Sequence, residues 1–367
     1  MKVPFFDYPK LWTSDREKLI EIIDQTASSG GFIMQDAVSE FETKLAEFIG
    51  CRHSIGVGNA TDGMEIFLTA LNLKKGDEII ISSHTMLATA SAVRAAGAVP
   101  VPVDIGDDGL LAVEAVESAV NSNTVGIMPT QLNGRICDMD ALVDIALKNR
   151  LFVTEDAAQA LGARYKGRAV GSFGLAADIS FFPAKTLGCL GDAGAIVTNH
   201  EALFEQCFEM HDHGRNQSGE VRSWGRNSRL DNIQAAILNY KLTKFESEID
   251  RRREIAARYE AQLSDLEVLR LPEGPNCSAD RFDTFQNYEI EARDRDSLRE
   301  FMSQNGVGSL VQWGGTAIHQ FKNLGFNYEL PRTNAFFEKC VLLPMNQFLS
   351  DEQVDHVCDT VRRFYRR

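Results

Sequence analysis

The chain is expected to fold as an α/β protein, with a large domain built on a mainly parallel sheet flanked by helices and a smaller α+β C-terminal domain. Two observations carry this expectation. Between about residues 54 and 200, short apolar runs alternate with helical patterns, which is how parallel strands joined by helical crossovers read in a sequence. The chain has 367 residues, too many for one small domain and suited to a large unit with a companion. The large domain is assigned to 1–240, N-terminal segment included, and the small one to 241–367.

The elements follow in order. SIGV precedes a helix starting near Thr61, EIIIS one near Met86, VPVPVD one near Leu111 and TVGIMP one near Asp138. LFVTED leads into a helix expected near Ala157, and the apolar runs ISFF and GAIVT come next. In sheets of this kind ligands sit beyond the carboxyl ends of the strands, so the residues just after each strand are where chemistry is sought. A loop rich in Gly, Ser and Arg then gives way to one long helical stretch from about Asp231 to Leu263. Its IDRRREIAARYEAQL segment repeats apolar residues at helical spacing, and it is expected to link the two domains. The turn-rich LPEGPNCSAD introduces mixed strand and helix, closing with a helix at 350–366.

Composition narrows the function. Hydrophobic residues make up 44% and charged residues 25%, enough for a full core without disorder. A formal charge of −14 repels polyanions, which makes nucleic acid and anionic membranes poor partners. The start, MKVPFFDYPKLW, lacks a cationic stretch followed by an apolar one, and nowhere do eighteen apolar residues run together, so the protein is read as cytoplasmic. Seven cysteines without a CxxC pair argue against disulfides and zinc. No GxGxxG follows the first strand and no GxxxxGK[ST] occurs, so neither a dinucleotide fingerprint nor a P-loop is present.

Four segments at strand ends carry the chemistry, although each alone has an ordinary structural explanation. In GNATDG (58–63), with Ala60 and Asp62 flanking it, Thr61 opens a helix after a strand, and helix-terminal amides plus a hydroxyl make a phosphate site. A plain N-cap would also account for it. In VTEDAAQALGA, Asp156 ends an apolar strand, where a carboxylate can pair with a protonated pyridine nitrogen, and Gln159 lies near the same ligand. In DISFFPAKTLGCLGDAGAI, Ser180 and Lys185 stand between a strand and a glycine-rich return. A lysine there is desolvated, which lowers its pKa and frees the amine to attack a carbonyl. The segment 211–231 concentrates Arg215, Arg222, Arg226 and Arg229 with two histidines in an otherwise acidic chain, a cluster able to meet phosphate or carboxylate.

In this order, GNATDG, SSHTMLATASAVRAAGAVPVPVDI, EDAAQALGA, SFFPAKTLG, GRNSRLDNIQAAIL and VLLPMNQFLSDEQ resemble the DegT/DnrJ/EryC1/StrS family of sugar aminotransferases, from about residue 3 to the C-terminus. The resemblance implies the aspartate-aminotransferase-like fold type I of pyridoxal 5′-phosphate (PLP) enzymes, usually homodimeric. It implies transfer of an amino group from L-glutamate to a keto group of a nucleotide-linked sugar, with pyridoxamine 5′-phosphate formed along the way. Lys185 would then be the Schiff-base lysine and Asp156 the pyridine-nitrogen partner. Gln159 would flank the ring, while Thr61, the Asp62 backbone and Ser180 would hold the phosphate. Asn227 would reach the cofactor phosphate of the neighbouring subunit. Met86 stands where the family usually stacks an aromatic residue, and a thioether can still pack on a π face. SLVQWGGTAIHQF replaces the usual His-Tyr-Pro segment, so Trp313 and His319 join His84, Arg215 and Arg229 as candidates for the sugar pocket.

Three rivals remain. A sugar dehydratase of the same family replaces the lysine by histidine, which Lys185 argues against. A non-catalytic regulatory protein on the PLP fold would have no need of the intact Lys, Asp, Gln and Ser set. A nicotinamide-dependent oxidoreductase lacks its glycine fingerprint here.

Overall fold

A computed structural model describes residues 1–366. The strands, in chain order, are β1 (His53–Val57), β2 (Glu78–Ser82), β3 (Val99–Val103), β4 (Thr124–Met128), β5 (Phe152–Val153), β6 (Glu155–Asp156), β7 (Arg164–Tyr165), β8 (Arg168–Ala169), β9 (Ala177–Ser180), β10 (Gly194–Thr198), β11 (Leu269–Arg270), β12 (Arg281–Phe282), β13 (Tyr288–Ala292) and β14 (Cys340–Leu343). The large unit is built on the orders β3-β2-β4-β5 and β1-β10-β9-β6. Only Thr154 separates β5 from β6, and Asp156 bridges Thr130 in parallel, so the two ladders are continuous.

The pairs β2–β3, β2–β4, β4–β5 and β6–β9 are parallel, whereas β10 runs antiparallel to both β1 and β9. The departure has a simple cause. A parallel neighbour needs a crossover, usually helical, but no helix forms in 181–193, and the chain simply folds back. Helices cover both faces of the sheet. Ile79, Ile80 and Ile81 of β2 are wholly buried, with Ile80 in one apolar cluster and its two neighbours in another. Successive side chains point to opposite faces, so an unbroken apolar run is what a strand covered on both sides requires.

Two expected helices differ. No helix begins at Ala157. The chain makes single turns, with the amides of Ala160 and Ala163 bonding to the carbonyls of Ala157 and Ala160, and Gly162 at φ +87° then redirects it. A Cβ at Gly162 would lie 2.6 Å from Ile249, so close helix packing dictates the turn. The stretch 231–263 is two helices, Asn232–Leu242 and Phe245–Leu263, interrupted at Thr243 and Lys244. The second does link the cores: Phe245 and Ile249 pack into the large one, and Ile255, Ala256, Tyr259 and Leu263 into the small one.

The small core collects β13, β14 and the helices Arg295–Gln304 and Asp351–Tyr365 around Tyr259 and Tyr288. Val3 also belongs to it, fully buried, with its amide bonded to Gly306 O at 2.8 Å and its carbonyl to Gly308 N at 2.8 Å. Val3 thus packs with the small core, while Leu19 and Ile22 of the same N-terminal segment pack against Ile237. Backbone pairing to 306–308 anchors Val3 there.

Candidate active site

The helix Ala60–Ala70 starts where β1 ends, and its cap is Asn59 rather than Thr61: Asn59 Oδ1 accepts from Asp62 N at 2.9 Å. Thr61 is thus free of the capping duty, in the first turn, with the helix amides around it. Gly194 of β10 lies against this terminus; a Cβ there would come within 2.6 Å of Ala60 N. The Asp62 carboxylate turns away, accepting from Ser228 Oγ at 2.7 Å and from Arg226 Nη1 at 3.2 Å, while Arg226 also pairs with Glu65. That arrangement clamps the 212–228 segment, with Asn227, to the helix of its own chain.

Lys185 sits in a turn closed by its amide bonding to Phe182 O at 2.8 Å. Gln286, from the segment leading into β13, holds the peptide on both sides: its Oε1 accepts from Thr186 N at 2.7 Å and its Nε2 donates to Ala184 O at 2.8 Å. Burial brings the Lys185 amine down to about 8, against the attraction of Asp156 and Asp178. A charged amine gains less from those carboxylates than it loses with its hydration shell.

Asp156 is buried; its Oδ2 accepts from Thr89 Oγ1 at 2.6 Å and lies 3.4 Å from Thr85 Oγ1, and its Oδ1 accepts from Ala158 N at 3.3 Å. It caps no helix. On the adjacent strand, in register with Asp156, Asp178 is fully buried and no side chain hydrogen-bonds its carboxylate, which has only weak backbone support from Ala157 and its own amide. Burial first, then the Asp156 charge, hold its carboxyl well above the usual carboxylate range.

These residues meet in one cleft lined by Ala60, Thr61, Met86, Asp156, Gln159, Ser180, Lys185 and Trp313 among others. Met86 is 57% exposed and directly precedes the helix Leu87–Ala95. Other candidates lie elsewhere. His84 is buried behind Trp313, ring centroids 5.2 Å apart, its Nδ1 2.9 Å from Gly109 O and its Nε2 3.4 Å from Glu289. Arg215 and Arg229 both face Asp212, at 3.5 and 3.3 Å, away from the cleft of their own chain. His319, expected in the sugar pocket, is buried with Nε2 2.9 Å from Asn334 Oδ1, and burial lowers its pKa. It is a packed core histidine, because the turn after Trp313 folds it inward.

The residues present fit pyridoxal phosphate. A capped helix terminus with nearby hydroxyls suits its phosphate, a buried carboxylate suits its ring nitrogen, and an amine brought down to about 8 suits its aldehyde. Sequence reasoning missed Gln286 and Asp178. Gln286 carried no signal, since it arrives from about a hundred residues away; Asp178 did, as the acid inside the apolar strand ADIS.

Fold and site together define a PLP-dependent aminotransferase of fold type I. Residues 13–362 match the DegT/DnrJ/EryC1/StrS aminotransferase family, and the chain belongs to it. It is 36% identical over 371 residues to the pleiotropic regulatory protein of Geobacillus stearothermophilus, covering 100% of this chain and 99% of that protein. It is 33% identical over 371 residues to dTDP-3-amino-3,4,6-trideoxy-alpha-D-glucose transaminase of Streptomyces venezuelae, covering 100% and 97%. Among solved structures, S. venezuelae DesV in complex with a ketimine intermediate has a TM-score of 0.95 at 34% identity over 100% of this chain and 99% of that one. A DegT/DnrJ/EryC1/StrS aminotransferase from Brucella abortus has 0.94 at 31%, covering 100% of both. Among the described residues no helix is long and apolar enough to cross a membrane, and no cluster of three or more His, Cys, Asp or Glu is placed to hold a metal ion.

Proposed function

We propose that this chain transfers an amino group from L-glutamate to a keto group of a nucleotide-linked sugar, with Lys185 as the catalytic amine. The observation that carries the reading is the placement of the Lys185 side chain and the buried Asp156 carboxylate in one cleft. Bound pyridoxal phosphate supplies an aldehyde and a ring that accepts electrons. Lys185 would hold that aldehyde and, as the amine in reach of the reacting carbon, would carry the proton the transfer requires. An amine brought down to about 8 is partly neutral near physiological pH, as a proton carrier must be. Asp156 would pair with the ring nitrogen and favour its protonated form, with Thr89 fixing the carboxylate. Ala60, Thr61 and Ser180 would hold the phosphate, Gln159 would meet the ring edge and Met86 its face; the Asp62 amide, expected to join them, is instead taken by the Asn59 cap.

Asn227 and the arginines of 211–231 point to a homodimer. Clamped to its own helix by Arg226 and Ser228, the segment is presented as a rigid unit that a second copy can receive. Arg215 and Arg229, outside the cleft of their own chain, would then meet substrate across the interface. Trp313 borders the sugar. The large domain is taken as 1–240, N-terminal segment included, and the small one as 241–367, with Val3 reaching across to the small core. A cytoplasmic enzyme is consistent with nucleotide-linked substrates.

The name of the Geobacillus stearothermophilus relative raises a second reading, a regulatory protein on the same fold. One experiment separates the two: the PLP form is incubated with L-glutamate and a panel of nucleotide-linked keto-sugars, and the mixture is weighed by mass spectrometry. An amino-sugar product is expected. Its absence across the panel, with glutamate left unconsumed, favours the regulatory reading.

A further inference from the structure

An amide side chain accepts at one end and donates at the other, and a half-turn exchanges the two. Which end of Gln159 faces the cleft is decided by its neighbours. Its Oε1 accepts from Asn133 N at 3.2 Å and from Asn287 Nδ2 at 3.2 Å, and its Nε2 lies 3.5 Å from Gln312 Oε1. Asn287 and Gln312 are amides themselves, so the question passes to the next contacts. Asn287 Nδ2 donates to Asn133 Oδ1 at 2.8 Å, and Gln312 Nε2 donates to the same oxygen at 3.0 Å.

The series ends on a group without that ambiguity. Glu289 of β13, its side chain 5% exposed, accepts on Oε2 from Asn133 Nδ2 at 2.6 Å and from Gln312 Nε2 at 3.0 Å. A carboxylate can only accept. It therefore turns the NH₂ groups of Asn133 and Gln312 towards itself, leaving the Asn133 oxygen for Asn287 and the Gln312 oxygen for Gln159. Asn287 spends its remaining hydrogen on Gln159 Oε1. With that oxygen tied inward, the end of Gln159 left for the cleft is its NH₂ group.

We propose that Glu289 is a positioning residue that sets the amide orientation of Gln159 through Asn133, Gln312 and Asn287, so that Gln159 offers the cofactor ring an N–H donor and not an oxygen. The inference rests on the reading that Gln159 contacts the ring. Glu289 itself does not line the cleft. It sits on a strand of the small unit while Asn133 and Gln159 belong to the large one, so the orientation depends on how the units seat together. The Asn133 backbone amide restrains the same oxygen, and loss of Glu289 therefore weakens the preference without abolishing it.

The test loads wild type, Gln159→Leu, Glu289→Leu and Glu289→Gln with pyridoxal phosphate and follows absorbance against pH. An N–H on the ring oxygen competes for the electron pair that otherwise stabilises the proton on the neighbouring Lys185-linked nitrogen. Losing it raises the pH midpoint of the spectral change. Gln159→Leu should raise the midpoint by about one pH unit, a tenfold change. Glu289→Leu should raise it in the same direction by less, the double variant no further than Gln159→Leu alone, and Glu289→Gln, whose oxygen still accepts, should stay near wild type. A shifted Gln159→Leu beside an unshifted Glu289→Leu overturns the relay and leaves the reading of Gln159 standing. An unshifted Gln159→Leu removes that reading and the relay with it, and a Glu289→Gln shifted as far as Glu289→Leu overturns the acceptor argument. If Glu289→Leu does not fold, the double variant Gln312→Met with Asn287→Leu cuts both branches of the series: a raised midpoint supports the relay and an unchanged one overturns it.

Discussion

Replacing Lys185 by methionine should make the cofactor-free protein more stable at neutral pH. Methionine keeps the length and apolar character of the stem while removing a charge that the fold desolvates. The amine falls from 10.5 to about 8 on folding, because burial outweighs the pull of Asp156 and Asp178. At 1.36 kcal/mol per pH unit, and allowing for the solvent that still reaches the side chain, this is a cost of about 2 to 3 kcal/mol. Below about pH 8 the amine is protonated in both states, and the whole cost is present. Between about 8 and 10.5 the folded protein releases its proton while the unfolded chain keeps it, so wild-type stability gains on the variant as pH rises. Urea unfolding of both cofactor-free proteins at pH 7 and pH 10 reads the difference: a clear gap favouring methionine at pH 7, reduced to about a quarter at pH 10. Equal stability at pH 7, or a gap independent of pH, would mean that the amine is fully hydrated and the argument for its reactivity is wrong.

Other consequences are as open to measurement. Asp156→Ala should lower turnover by about 10² to 10³, the usual cost of one preorganised electrostatic contact; a near-normal rate would leave the acid with only its bonds to Thr89 and Ala158. Asn227→Ala should loosen cofactor retention, and mixed dimers of Lys185→Ala and Asn227→Ala chains should partly recover activity, whereas no recovery would argue for self-contained sites. Gly194→Ala places a methyl 2.6 Å from Ala60 N. It should destabilise by about 1 to 3 kcal/mol and weaken cofactor binding; an unchanged melting temperature and affinity would mean that the helix terminus is free to shift.

Much of the cleft was legible because its residues follow strands directly. Thr61, Asp156, Ser180 and Lys185 each sit within a few residues of a strand end, and strands are visible as short apolar runs. What was not legible depends on long-range packing. Ala157 looked like a helix start by composition, but Gly162 pressed against Ile249 forbids the second turn. The break at Thr243 and Lys244 separates helices serving different clusters, and local propensity shows no such division. His319 followed a glycine-flanked Trp and looked available, yet the turn buries it on Asn334. Gln286 and Glu289 reach Lys185 and Gln159 only because the small unit closes over the large one. Their partners in the large unit lie a hundred or more residues away in the chain, beyond the reach of any local pattern.

The central claim is that the amine at 185 binds the cofactor covalently. Borohydride reduction of the PLP-loaded protein, followed by proteolysis and mass mapping, should place the added mass on the peptide containing Lys185 and on no other. A label on a different lysine, or an unmodified 185 in a protein that retains its cofactor absorbance, would contradict the account.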